Sequence, residues 1–419
     1  MAPHRSRMAY QSHALSFIAC ALESLGGTEA IAVKGATIQC SNGSEITDLA
    51  SGGFGYQHPY VVERAKEQLS RLPLSGRVFF SRPLAMLTKK IAEITPGKLS
   101  ISYPCNSPSE AIEGALKMAR GYHKKRSGII AISGSFHGST MGALSVCGKP
   151  QLRSFFNDFA LDVNFVSYGS IASLKEAISE QTAALIMEPT MTKAGITVAP
   201  DGYLKEVQKI CRAHGMLLIF DETVTGLGHA GKWFSADENV VPDILVIGNT
   251  LGGGILPGAA YVTTEKINKK VYGKHHPAMH GSTTGGNPLM SAAAFAVLET
   301  IQKENLHLQA AEHGKTIQRT LQHFKAFLPD YILNYQVCGM LASIEVPDKE
   351  TAMGFQKQAM VQGVAVNTSF SGDRAWIMIN PPLIISSMEL KKGLVKLENV
   401  LLNIKNVKTH KKTVVAVPL

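Results

Sequence analysis

The sequence has no Cys-x-x-Cys pair and no cysteine and histidine grouping at metal-ligand spacing, so we predict no metal site. Its six cysteines are widely scattered, which is typical of buried free thiols in a reducing compartment. Charged residues are scarce, at 18%, while hydrophobic residues make up 45% of the 419 positions. This composition argues against disorder and predicts a globular chain of roughly two to three domains.

Long apolar stretches that could cross a membrane are also missing. The longest run without acidic residues, lysine, arginine or histidine, Ile244–Thr264, contains five glycines and a proline, which predicts strand, loop and strand. Near the N-terminus, Arg5 and Arg7 precede a short apolar stretch, Ala14–Leu22, for which we predict an amphipathic helix. A signal or transit peptide is the alternative there. We therefore predict no membrane span and a cytoplasmic location, with N-terminal targeting left open.

The net charge of +10 is concentrated at the two ends of the chain. Residues 1–22 carry +2 and residues 391–419 carry +6, so the body between them carries only +2. A basic groove for nucleic acid is therefore not supported, and we predict no nucleic-acid partner. The basic C-terminal tail is interpreted as a solvated, frayed end.

Between about residues 100 and 265, short apolar runs alternate with helical patterns. This alternation predicts an α/β fold with a largely parallel sheet that is covered on both faces. The predicted strands are Gly128–Ser133, Ala183–Glu188, Met216–Asp221, Ile244–Gly248 and Ala259–Thr263, and the predicted helices include Ser109–Lys124 and Gly202–His214.

After residue 290 the pattern changes to a smaller α+β arrangement. We predict a long helix in Pro288–Lys325, strands in Val337–Glu345 and Trp376–Ile379, and a last helix in Ser387–Ile404. The predicted domain organisation is an N-terminal segment, a large cofactor-binding domain, a small C-terminal domain and a basic tail, over residues 1–50, 51–290, 291–405 and 406–419.

Polar residues stand at the ends of four predicted strands. Glu188, Asp221 and Asn249 each end or follow a strand, and Ser135-Phe136-His137-Gly138 follows a fourth. Ligands of open α/β sheets bind at the carboxyl ends of the strands, so these residues predict a pocket.

An ordered set of short motifs resembles the class III aminotransferases, the pyridoxal-phosphate family of ornithine and 4-aminobutyrate aminotransferases. The resemblance covers roughly residues 25–405 and implies fold-type I: a large domain with a mainly parallel seven-stranded sheet, a smaller α+β C-terminal domain, and a homodimer with active sites at the interface. The motifs include Gly55-Tyr56-Gln57-His58-Pro59, Asn106-Ser107-Pro108-Ser109-Glu110-Ala111, Phe136-His137-Gly138, Glu188-Pro189, Asp221-Glu222, Gly252-Gly253-Gly254, Gly281-Ser282-Thr283 and Pro381-Pro382-Leu383.

The resemblance also implies roles for individual residues. Asp221 matches the aspartate that meets the pyridine nitrogen of the cofactor, and a carboxylate there keeps that nitrogen protonated. Phe136 matches the aromatic residue that stacks on the ring, and His137 beside it is a further cofactor-binding candidate. Glu188 matches a glutamate near cofactor and substrate. The resemblance implies that the helix start at Ser107, Pro108 and Ser109 binds the cofactor phosphate, together with Thr283 of the neighbouring subunit. Val224 occupies the position at which the family has a glutamine that contacts the ring hydroxyl.

The main departure from the family is Asn249, at the position of the lysine that forms the Schiff base. A carboxamide nitrogen is not nucleophilic and cannot act as a general base, so we do not expect ordinary ping-pong transamination. We therefore predict noncovalent binding of pyridoxal 5'-phosphate or pyridoxamine 5'-phosphate. Lys193 and Lys232 are considered as replacement amines, although neither has a strand-end position.

Two further departures concern phosphate and substrate binding. Pro108 replaces a glycine whose N–H holds the phosphate, although Ser107 as N-cap, Pro108 at the first helical position and Glu110 in a capping box predict a good helix start. Met378 replaces an arginine that grips the substrate carboxylate, and Arg374 is a possible substitute or a surface residue.

Two functions follow, and the sequence does not decide between them. The first is a cofactor-binding enzyme with atypical chemistry that acts on a small amino or keto compound. The alternative is a catalytically inactive dimeric homologue, a pseudoenzyme with a binding or scaffolding role. An ordinary aminotransferase whose lysine has been deliberately replaced is a third interpretation, weakened by the three separate departures.

Overall fold

The computed structural model describes residues 28–414 except 77–78, 157–158, 238, 275 and 277–278, with backbone alone from residue 405 onward. The helix predicted in Ala14–Leu22 and the last residues of the basic tail lie outside this part. The chain divides into a large unit, Gln57–Ala311, and a small unit formed by the residues up to Tyr56 together with those from Glu312. The domain limits given above stay a prediction.

The secondary structure alternates strands and helices through most of the chain. The strands are β1 (Ala30–Lys34), β2 (Thr37–Cys40), β3 (Glu45–Asp48), β4 (Leu99–Cys105), β5 (Gly128–Ile132), β6 (Val163–Val166), β7 (Thr182–Met187), β8 (Thr190–Met191), β9 (Thr197–Val198), β10 (Leu217–Glu222), β11 (Ile244–Ile247), β12 (Ala259–Thr264), β13 (Asn334–Cys338), β14 (Leu341–Val346), β15 (Val364–Ala365), β16 (Asn367–Ser371) and β17 (Arg374–Ile379).

The helices vary from one turn to many turns. They are α1 (Pro59–Arg71), α2 (Arg82–Ile94), α3 (Pro108–His123), α4 (Met141–Ser145), α5 (Pro150–Arg153), α6 (Ile171–Ala177), α7 (Tyr203–Ala213), α8 (Glu265–Val271), α9 (Pro288–Lys303), α10 (Leu306–Phe327), α11 (Lys349–Val361) and α12 (Ser387–Val414).

A seven-stranded sheet forms the core of the large unit, in the order β4-β12-β11-β10-β7-β5-β6. β12 runs antiparallel to both of its neighbours, and the other strands share one direction. Every residue of β5, β7, β10 and β11 is buried, as expected for parallel strands covered on both faces. The predicted α/β fold with a mainly parallel seven-stranded sheet is confirmed.

The small unit contains two separate four-stranded sheets. In one, the N-terminal strands β1, β2 and β3 are extended by β15, which pairs parallel to β3. The other, in the order β13-β14-β17-β16, is antiparallel throughout.

Two elements predicted as continuous are interrupted, and both predictions were wrong. The helix predicted in Pro288–Lys325 breaks into α9 and α10 because Asn305 adopts a left-handed conformation with φ of 53°. The strand predicted in Val337–Glu345 is the pair β13 and β14, joined at Gly339, whose φ is 57°. A residue in this conformation cannot continue either element, so the chain turns.

The sequence predicts no membrane-spanning helix and free, buried cysteines. Within the described residues, no helix is long and apolar enough to cross a membrane. The five cysteines in the described part are free thiols. Four of them are buried, namely Cys40, Cys105, Cys147 and Cys211.

Candidate active site

The sheet brings the polar strand ends together. β11, β10, β7 and β5 are consecutive neighbours and run parallel, so their carboxyl ends lie along one edge. Asn249, Asp221, Glu188 and the turn at Phe136–Gly138 therefore converge there, as the sequence predicts.

A buried pair of hydrogen-bonded side chains, His137 and Asp221, lies at the centre of this edge. The Nδ1 atom of His137 lies 2.6 Å from Oδ2 of Asp221, and the two side chains are 0% and 1% exposed. The other carboxylate oxygen of Asp221 accepts the backbone N–H of Thr223 at 3.0 Å. Within the described part of the chain, Nε2 of His137 is buried without a hydrogen-bond partner. The aspartate is thus held in one orientation by two donors.

Cys147 supports the same turn. The backbone N–H of His137 donates to its Sγ atom at 3.1 Å, and the thiol donates to the carbonyl of Gly138 at 3.3 Å. Burial raises the pKa of this thiol, so it stays protonated and keeps its role as a donor. Cys147 is a positioning residue that sequence reasoning did not single out.

Glu188 links the turn to the next loop. One of its carboxylate oxygens accepts the N–H of Phe136 at 3.2 Å, and the other accepts the N–H and hydroxyl of Thr192 at 3.0 and 2.5 Å. Burial raises the pKa of Glu188, and the nearby Asp221 raises it further, while His137 opposes the shift. The side chain of Phe136 is partly exposed at this edge.

The raised pKa of Glu188 predicts a pH-dependent contribution to stability. Relative to Glu188→Gln, the unfolding free energy of the wild type should increase as the pH falls from 7 toward the unfolded-state value of 4.5. The folded state binds the extra proton in that window, and one proton corresponds to a slope of at most about 1.4 kcal/mol per pH unit. Urea unfolding of both proteins across this pH range measures the difference. A difference that shrinks on acidification would contradict the assignment.

The start of α3 matches the predicted N-terminus, with one change. Ser107 caps the helix by accepting the N–H of Glu110 at 3.2 Å, and Pro108 occupies the first turn. The carboxylate of Glu110, however, accepts the N–H of Asn106 at 2.9 Å rather than that of Ser107. The hydrogen bond that Glu110 returns in the predicted capping box therefore goes to Asn106 and not to Ser107. The side-chain amide of Asn106 donates to the same carboxylate oxygen and supports this arrangement.

The loop before α4 packs directly on this helix start. The hydroxyl of Ser109 accepts the N–H of Ser139 at 3.3 Å, and a Cβ atom on Gly138 would lie only 2.3 Å from the same hydroxyl. One oxygen of Glu113 accepts the hydroxyl of Thr140 at 2.7 Å and the N–H of Gly142 at 2.8 Å. Glu113, another residue missed from the sequence, fixes the loop by capping α4.

Asn249 begins a short 3-10 turn, Asn249–Gly252, directly after β11, and its side chain is exposed. A Cβ atom on Gly248 would lie 2.1 Å from the carbonyl oxygen of Thr223, so only glycine permits this approach of the two strand ends. Since Asp221 binds the N–H of Thr223, the approach places Asn249 beside the aspartate's turn.

Two further residues predicted from the sequence, Val224 and Lys232, follow β10. Val224 is partly buried in the turn after β10, whereas the neighbouring Glu222 is buried and binds the N–H groups of Ser235 and Ala236 at 2.6 and 2.8 Å, a structural role. Lys232 is exposed and donates to the carbonyl of Ser235 at 3.3 Å.

In the small unit, Met378 is buried in β17 at 8% exposure. Arg374 pairs with Glu345 through two hydrogen bonds of 2.8 and 3.1 Å and lies over the ring of Trp376. Arg374 is thus engaged at the surface, which agrees with the surface interpretation.

Thr283 is exposed in a loop that is held against Asn106. The hydroxyl of Ser282 accepts the side-chain amide of Asn106 at 2.9 Å, and the hydroxyl of Thr284 donates to the carbonyl of the same side chain at 3.2 Å. This loop lines a cavity of about 870 Å³ together with Leu74, Phe79, Leu84 and Tyr103. The loop is therefore adjacent to the α3 start within one chain.

Comparison with known proteins connects these features to a family. The model of the class III aminotransferases matches residues 29–401. The chain belongs to the class III aminotransferase family. Among the described residues of this family member, no group of histidine, cysteine, aspartate or glutamate could hold a metal ion.

Solved structures show the same fold. The ornithine aminotransferase from Toxoplasma gondii is 25% identical, with a TM-score of 0.87 over 97% of this chain and 96% of its own. A second structure of that enzyme, with partial occupancy of PLP at the active site, is 25% identical with a TM-score of 0.88 over the same shares. A transaminase from the marine bacterium Virgibacillus is 23% identical, with a TM-score of 0.87 over 96% of this chain and 99% of its own, which shows the fold alone.

Proposed function

We propose that this class III aminotransferase-family protein binds pyridoxal 5'-phosphate or pyridoxamine 5'-phosphate noncovalently and acts on an amino or keto compound. The observation that carries the proposal is the buried Asp221–His137 pair, at the same sheet edge as Phe136, Glu188 and Asn249. When bound, the cofactor supplies a pyridinium ring that accepts electrons from a substrate carbon.

The chain's own residues fit the ring end of this cofactor. Each oxygen of Asp221 accepts one hydrogen bond, which leaves lone pairs for a protonated ring nitrogen. A fixed carboxylate keeps that nitrogen protonated. Phe136 offers a partly exposed ring at the same edge, and Glu188 holds its backbone in place.

The phosphate end fits less completely. Pro108 has no N–H to donate, so the α3 start lacks one donor. Ser107 and Ser109 accept backbone N–H groups through their hydroxyl oxygens, which leaves the hydroxyl hydrogens available for an anion. We infer that the two serines, and Thr283 from a second copy, hold the phosphate.

The residue that would form a covalent bond to the cofactor does not fit this role. We infer that Asn249 occupies the family's lysine position, because it follows β11 and begins the turn that contains Gly252 and Gly253. Its amide can hold a substrate by hydrogen bonds but cannot carry a proton between atoms. Ordinary ping-pong turnover is therefore not expected.

A homodimer and a cytoplasmic location remain part of the proposal. Phe79 and Phe80 are 70% and 85% exposed beside the cavity at the Thr283 loop, as expected for a surface that a second copy covers. The second candidate function is a catalytically inactive dimeric homologue. The missing donor at Pro108 and the buried Met378 favour it, because each weakens a different part of ligand binding.

Titration of the purified protein with each cofactor form, followed by absorbance, tests the function. We expect saturable binding that dialysis reverses and that leaves no adduct after borohydride reduction, as judged by intact mass. Absence of binding for both forms would favour the scaffold. Multiple turnovers with an amino donor and a keto acceptor would show that Asn249 does not limit the chemistry.

A further inference from the structure

Two lysines that are far apart in the sequence meet beside the candidate site. The ammonium group of Lys149 donates a hydrogen bond to the backbone carbonyl of Lys193. Lys149 is partly buried and Lys193 is exposed. Both belong to the large unit, so the contact lies within one packed body.

The segments that carry the lysines also hold Glu188 and Phe136. Thr192, immediately before Lys193, donates its N–H and its hydroxyl to Glu188, whose other oxygen accepts the N–H of Phe136. A Cβ atom on Gly134 would lie 3.2 Å from Cε of Met191 and 3.5 Å from Cβ of Ala194, so the two loops are in close contact. The lysine pair is therefore part of the same sheet edge as the ring-binding residues.

The electrostatics of this cluster favour an anion. Burial lowers the pKa of Lys149, and the charge of Lys193 lowers it further, while Glu188 opposes the shift. Lys193 is close enough for its charge to affect Lys149, and an anion bound beside two like charges relieves their repulsion. Glu188 is the carboxyl group next to these lysines, and burial raises its pKa.

We propose that Lys149 and Lys193 bind a carboxylate of the substrate, so that the protein takes an amino acid or keto acid and holds its acid group through two ammonium groups. The inference rests on the function proposed above, and it assigns the positive charge that a substrate carboxylate needs to two residues of the large unit. Lysines act as point charges, so this grip is less directional than the bidentate grip of an arginine.

The test measures binding of glutarate by calorimetry to protein preloaded with pyridoxamine phosphate. We expect Lys193→Met and Lys149→Met each to weaken glutarate binding about 10-fold or more, since each removes a charge-assisted hydrogen bond. Lys193→Arg should retain most of the affinity. Lys209→Met is the matched control, because Lys209 is exposed on α7 and pairs with Glu206 of the same helix at 3.6 Å. Glutaramide, the neutral diamide, should bind far more weakly than glutarate.

The outcomes separate this inference from the proposed function. Equal glutarate affinity in the wild type and both methionine variants, each shown to be folded by its thermal midpoint, would overturn the inference. Weaker pyridoxamine phosphate binding with unchanged glutarate binding would overturn it too, by assigning the lysines to the cofactor phosphate. If pyridoxamine phosphate does not bind at all, the proposed function fails, and lysine-dependent glutarate binding to the unliganded protein still supports the carboxylate site.

Discussion

Asn249→Lys should convert reversible cofactor binding into covalent attachment. A lysine at this position places a primary amine after β11, beside the turn that holds Asp221. An amine attacks the pyridoxal aldehyde, whereas a carboxamide does not. After addition of pyridoxal phosphate and borohydride, intact mass should show near-complete single labelling of the variant and none specific to the wild type.

Asn249→Gln is the matched control, because it lengthens the side chain without introducing an amine. It should bind the cofactor reversibly and remain unlabelled. Saturable binding by Asn249→Lys without an adduct would mean that position 249 is not the lysine position. If neither protein binds the cofactor, the inactive homologue is favoured, and the missing N–H of Pro108 is the first explanation to examine.

Asp221→Asn should have the second largest effect, on cofactor affinity. The substitution removes the only charge that the site offers to a protonated ring nitrogen in this proposal, at a position that is 3% exposed. Truncating one partner of a buried charge pair costs about 2–5 kcal/mol, which corresponds to a loss of affinity of roughly 30-fold or more. Absorbance titration of pyridoxamine phosphate measures the change.

Loss of fold stability must be separated from loss of the charge. Glu222→Gln is suited to this purpose, because Glu222 is adjacent, 1% exposed and engaged by Ser235 and Ala236 instead of the ring site. Both variants should lose about 1–3 kcal/mol of unfolding free energy. Only Asp221→Asn should lose affinity. An equal loss of affinity in both would attribute the effect to loosening of the fold.

Much of the fold could be predicted from local patterns. The strands β5, β7, β10, β11 and β12 agree with the sequence to within one or two residues at each end, because each is a short apolar run bounded by polar or glycine residues. The breaks at Asn305 and Gly339 could not be predicted in this way. The residues on either side continue the same hydrophobic pattern, and only the positive φ values reveal the turns.

Some residues of the candidate site could be predicted from the sequence, and others could not. Asp221, Glu188 and the Phe136–Gly138 turn were accessible from the sequence because they stand at strand ends. Their hydrogen-bonded partners His137, Thr192 and Cys147 could not be assigned from it, because a partner is defined by distance in space. His137 was predicted to bind the cofactor beside Phe136, with no indication of its contact with Asp221.

The sequence alone determined the chemical inventory of this protein: a carboxylate at the end of β10, an amide side chain at position 249, and a proline at the start of α3. These groups are fixed by the covalent structure, and folding does not change which of them can donate a hydrogen bond, accept one or act as a nucleophile. The tertiary structure decided which of these groups meet. The order of the parallel strands gathers their ends on one edge, and loop packing brings Lys149 to Lys193 across 44 positions of the chain. Neither arrangement is encoded in any local pattern, because both depend on burying the whole sheet at once.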